Sequence, residues 1–103
     1  MSDFFDRNGE RISLHQWDTL HDTETYRRVD SDHLDDAWVS TVWLGVDLNE
    51  GGDGPPLIFE TMVFTDGDSQ YDNWCRRYPT LADAQAGHRV VVEAVRRGEL
   101  PPT

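Results

Sequence analysis

Two stretches constrain the fold more than any others: Trp38 to Val46, reading Trp-Val-Ser-Thr-Val-Trp-Leu-Gly-Val, and Leu57 to Phe64, reading Leu-Ile-Phe-Glu-Thr-Met-Val-Phe. Both are dense in β-branched and aromatic residues, which fit a pleated, half-buried surface. Between them lies Asp47-Leu48-Asn49-Glu50-Gly51-Gly52-Asp53-Gly54-Pro55-Pro56, a Gly, Pro and acid loop that no strand tolerates. The pattern predicts strands over 38–47 and 57–64, paired antiparallel. Side chains alternate along a strand, so Trp38, Ser40, Val42, Leu44 and Val46 share one face, and Val39, Thr41, Trp43, Gly45 and Asp47 the other. The first set is more uniformly apolar and is expected to meet the helices.

The flanking segments supply those helices. Ser13 stands three residues before Gln16, the spacing of a capping box, and Leu14, Trp17 and Leu20 form a stripe, which predicts a helix over 13–22. Thr80 as N-cap, Asp83 in the first turn and the run Ala84, Gly87 or His88, Val91 and Val95 predict a helix over 80–97 that stops at Gly98. Asn8-Gly9 after Phe4-Phe5 marks an opening turn or hairpin. Weaker strand signals fall near 26–29 and 72–78. The expected fold is α+β: an antiparallel meander of about four strands packed with a short helix and a C-terminal helix. A chain of 103 residues holds one core, so a single domain over 1–103 is expected, with 99–103 a loose tail.

Charge narrows the partners. Twenty acidic residues face nine basic ones, all Arg, giving a formal net charge of −11. The field repels phosphates and anionic lipid, so neither direct nucleic-acid binding nor a membrane partner is expected. No stretch approaches the roughly 20 apolar residues of a membrane span, and no secretory leader pattern opens the chain. A lone Cys75 makes no internal disulfide. Together these features point to the reducing cytosol.

The loop Asp47-x-Asn49-x-Gly51-x-Asp53 resembles the start of a calcium loop, but its fifth position is Gly51 and its twelfth Ile58, where a bidentate Glu is needed. His15, His21, His33 and His88 show no zinc spacing, so no metal and no cofactor are expected. His88 lies beside the apolar stripe of the last helix, where Glu60 or Tyr78 could partner it. Glu60, a carboxylate within an apolar run, must be paired, protonated or exposed. On an open face it would form an amphipathic patch with Trp43 and Met62; on a buried face it would pair Arg76 or Arg77. No nucleophile elbow, phosphate loop or paired-carboxylate spacing occurs, and a non-enzymatic role is favoured. The candidate interaction or pocket residues are Trp43, Asp47, Glu60, Met62 and His88.

Several motifs are familiar together: Phe5-Asp6-x-x-Gly9-x-x-Ile12, Trp17, Tyr26-Arg27-Arg28-Val29, Val39-Ser40-Thr41-Val42-Trp43-Leu44-Gly45, Pro55-Pro56 through Phe64, and Arg77-Tyr78-Pro79-Thr80 with Gly87-His88. Spread over nearly the whole chain, they resemble a family of small uncharacterised proteins from actinobacteria and their bacteriophages. The resemblance implies a phage or prophage gene expressed in the host cytosol, and brings no catalytic residue with it. This chain departs from the family in having Val46-Asp47-Leu48 where Leu-Asp-His is expected, so no site using that His carries over. A protein partner, from host or phage, is the expectation. The alternatives are a small-molecule or enzymatic pocket near Glu60 and His88, and a minor structural or assembly component.

Overall fold

The computed structural model describes residues 3–49 and 51–102. A small hairpin opens the chain, with β1 (Phe4–Phe5) paired to β2 (Arg11–Ile12). Asp6 holds its turn, accepting the amides of Asn8 and Glu10 through Oδ1 at 2.9 and 3.0 Å. Helix α1 (Leu14–His21) starts at Ser13 with the expected reciprocal cap. Ser13 Oγ accepts the Gln16 amide at 3.1 Å, and Gln16 Oε1 accepts the Ser13 amide at 2.9 Å. These bonds satisfy amides that no helical carbonyl can reach.

A one-turn helix α2 (Glu24–Arg27) precedes strand β3 (Arg28–His33), so the weak strand signal near 26–29 belongs partly to a helical turn. The strand instead occupies the polar residues that follow. It can, because β3 is an edge of the sheet and exposed acids deter pairing with other chains. Strands β4 (Ala37–Trp43), β5 (Phe59–Thr65) and β6 (Cys75–Tyr78) complete an antiparallel meander in the order β3-β4-β5-β6. Helix α3 (Leu81–Arg96) crosses one face of this sheet and packs against all four strands. Thr80 Oγ1 caps it by accepting the Asp83 amide at 3.1 Å.

The register fixes which side chains α3 covers. Trp43 pairs with Phe59, Thr41 with Thr61 and Val39 with Val63, and all six are buried. The alternate pairs Val42 with Glu60, Ser40 with Met62 and Trp38 with Phe64 lie on the opposite, open face. The expectation that Trp38, Ser40 and Val42 meet the helices is therefore corrected. The apolar count misled because Thr41 and Thr61 are buried polar residues that bond to each other, with Thr41 also bonded to His88 from the distant helix.

Two apolar clusters result. One joins Phe5, Trp43, Ile58, Phe59, Tyr78 and Ala84; the other joins Ala37, Val39, Val63, Tyr71 and the α3 residues Val91, Val92 and Val95. Trp43 Nε1 donates to the Phe5 carbonyl at 3.1 Å and Trp17 Nε1 to that of Leu44 at 2.9 Å, tying the first hairpin and α1 to the end of β4. Gly87 lets α3 approach the sheet: a methyl there would stand 2.3 Å from the Tyr78 ring. Part of the expected loose tail over 99–103 is held, while Thr103 lies outside the described residues. Tyr71 donates to the Glu99 carbonyl at 3.1 Å, Gln70 to that of Gly98 at 3.0 Å, and Pro101 is buried.

Candidate functional site

The open face carries a row of three rings across three strands. His33 on β3 pairs with Trp38 on β4, which pairs with Phe64 on β5. The His33 and Trp38 rings stack at 5.3 Å with 4° between their planes, and Trp38 meets Phe64 at 5.1 Å. Trp38 Nε1 donates to Ser31 Oγ at 2.7 Å, which sets the indole on the sheet. Trp38 and Phe64 remain 36% and 44% exposed, although each offers a large apolar area.

The meander brings two acidic turns to the same end of the sheet, because Ala37 pairs with Thr65. The β3–β4 turn contributes Asp35 and Asp36, and the β5–β6 turn Asp66 and Asp68. A cleft of about 280 Å³ is lined by His33, Asp35, Asp36, Trp38, Phe64 and Asp66, so carboxylates stand directly beside the rings. A second cleft of about 550 Å³ adjoins it around Asp68, Gln70 and Tyr71. No Lys or Arg occurs anywhere from Asp30 to Asp72, so these turns carry no compensating charge of their own.

The expected residues distribute unevenly. Glu60 and Met62 share the open face, and Glu60 Oε2 accepts from Arg77 Nε at 3.0 Å. That bond raises the Arg77 pKa above its already high ordinary value. Trp43 is wholly buried on the other face, and its place in an exposed patch is corrected: Val42 stands opposite Glu60, and the exposed indole is Trp38, opposite Phe64. Asp47 is a loop brace, its Oδ1 accepting the amides of Asn49 and Leu57 at 2.9 and 3.0 Å. His88 is buried on the helix side, while Glu60 looks out from the opposite face, so the two do not converge on a common pocket.

His88 instead belongs to a polar line between the two apolar clusters. Its Nε2 lies 2.7 Å from Asp32 Oδ2 and 3.8 Å from Asp30 Oδ2, while its Nδ1 lies 2.7 Å from Thr41 Oγ1. Thr41 Oγ1 bonds in turn to Thr61 Oγ1. Beyond Thr61 the Tyr78 hydroxyl is buried with no hydrogen-bond partner among the described residues. Burial raises its pKa, and the Thr61 hydroxyl and the Arg76 charge oppose that rise without Thr61 reaching hydrogen-bond geometry. Thr41 and Thr61 are fully enclosed, so this Asp-His-Thr line offers no hydroxyl to a substrate. Asp30, Asp32 and His88 nevertheless bring three possible metal-ligating atoms within 4.8 Å of one another.

Sequence reasoning missed His33, Trp38, Phe64 and the Asp30–Asp32 pair. The alternation of Asp30 and Asp32, which sets both on one side of a strand, was the available signal for the last. Among the described residues no helix is long and apolar enough to cross a membrane. Comparison with family models, with curated proteins and with solved structures finds no significant match.

Proposed function

We propose that the chain is a non-enzymatic interaction module that receives an arginine-rich segment of a partner protein on His33, Trp38 and Phe64, flanked by Asp35, Asp36 and Asp66. The observation that carries this reading is the exposed ring row standing in the same cleft as three carboxylates. A guanidinium satisfies both halves at once, stacking on a ring while its N–H fork engages a carboxylate. Lysine offers the charge without the planar fork. The net charge of −11 speeds encounter with a basic partner and makes it sensitive to salt. Met62 and the Glu60–Arg77 pair extend the same face as a contact floor.

With the resemblance of its strand motifs, we read the protein as a phage or prophage accessory factor that acts on a host or phage protein in the actinobacterial cytosol. The test is calorimetric titration with a short peptide alternating Arg and Gly, beside its Lys counterpart. The Arg peptide binds more tightly, loses affinity as salt rises, and loses it again with Trp38→Ala. Equal binding by wild type and Trp38→Ala overturns the reading.

A further inference from the structure

We propose that Asp30, Asp32 and His88 form a binding site for a divalent transition metal of the zinc class, on the helix-covered side of the sheet and separate from the aromatic row. Asp30 and Asp32 alternate along β3 and so point to the same side, where α3 delivers His88 with its side chain only 1% exposed. Asp32 Oδ2 and Asp30 Oδ2 stand 2.7 and 3.8 Å from His88 Nε2. Ligand atoms around a tetrahedral ion with bonds of roughly 2.0–2.1 Å are about 3.3 Å apart, a value that these two separations bracket. Small rotations of the two carboxylates, each 44% exposed, bring them to that distance while the ring stays still.

The ring is held for this task. Its Nδ1 is engaged by Thr41 Oγ1 at 2.7 Å, the outer bond that orients a metal-binding histidine and fixes which nitrogen faces the ion. A second observation points the same way. The two carboxylates converge in a strongly acidic chain, and among the described residues neither meets an Arg; the titratable side chain facing both is the His88 ring. A divalent cation relieves that repulsion. An imidazole ligand favours zinc-class ions over calcium or magnesium, which prefer all-oxygen shells. The exposed side of the carboxylates leaves a fourth position to water.

Ligation also has a distinctive consequence for protons. A neutral ring with its proton on Nε2 donates to Asp32 and accepts the Thr41 hydroxyl at Nδ1, the arrangement expected without metal. With metal on Nε2, the neutral ring carries its proton on Nδ1 and donates to Thr41 Oγ1. Thr41 then donates to Thr61, so the bonds from His88 to Thr61 can run in either direction.

The experiment titrates the chelator-stripped full chain with zinc chloride by calorimetry, and follows the His88 ring nitrogens by ¹⁵N NMR. One ion binds per chain, and the ring proton moves from Nε2 to Nδ1. Asp30→Asn and Asp32→Asn each weaken binding by at least about tenfold. Asn keeps a carbonyl to accept from His88, so both variants hold the metal-free melting temperature of the wild type, while Asp18→Asn on α1 leaves zinc affinity intact. Absence of stoichiometric uptake, uptake retained by both Asp variants, or a ring tautomer that zinc does not change overturns the site.

Discussion

The His33 imidazole lies flat against the Trp38 indole, with 4° between planes and 5.3 Å between centroids. The stack joins the ends of β3 and β4 on the face that no helix covers, so Trp38 is held in place yet contributes little to the core. Trp43, five residues on, is the opposite case: fully enclosed, with Tyr26 edge-on to it at 5.0 Å. Trp43→Ala should cost about 3–5 kcal/mol, as for other buried aromatic truncations. Trp38→Ala should cost under about 1.5 kcal/mol, because the indole packs on the open face against His33 and Phe64, outside both core clusters, and a third of its surface already meets water. Urea denaturation of the two variants measures the difference, and equal losses would contradict the assignment of faces.

Gly87 reverses a general rule. An exposed helical Gly→Ala change stabilises by roughly 1 kcal/mol. Here the new methyl would lie 2.3 Å from Tyr78 Cε1 and 2.5 Å from its hydroxyl oxygen, and a ring between helix and sheet has nowhere to retreat. Gly87→Ala should therefore destabilise by about 1–3 kcal/mol through overpacking. Thermal melting checks the sign.

Tyr78 sets a limit at high pH. Burial raises its folded-state pKa above the ordinary 10.0, so above about pH 10 the unfolded chain loses this proton while the folded chain keeps it. The unfolded state then binds fewer protons, and stability falls as pH rises; below pH 10 the contribution is fully present. Denaturation midpoints across pH 8 to 11 should show this fall, and Tyr78→Phe should flatten it. A wild type and variant with parallel profiles would contradict it.

Local signals were the legible ones. Ser13 with Gln16 and Thr80 with Asp83 announce their helices within four residues, and both caps form as expected. The meander followed from the two strand runs and the Gly-Pro loop between them. The facing of β4 was not legible, because parity argued from apolar count cannot see that Thr41 finds a buried imidazole 47 positions away and Thr61 finds Thr41. The same holds for the surface. His33, Trp38 and Phe64 become neighbours through strand register, and Asp36 and Asp66 line one cleft because two turns return to one end of the sheet. Asp32 reaches His88 across 56 positions. Glu60 was recognisable as anomalous; pairing with Arg76 or Arg77 was expected for a buried face, and the Arg77 pair forms on the open face instead.

The most direct test of the interaction surface is a two-dimensional NMR titration of the ¹⁵N-labelled chain with the alternating Arg-Gly peptide. The account predicts that shifts concentrate on His33, Asp35, Asp36, Trp38 with its indole N–H, Phe64 and Asp66, and that they fade as salt rises. Shifts scattered over acids throughout the surface, or confined to residues far from the ring row, would contradict it.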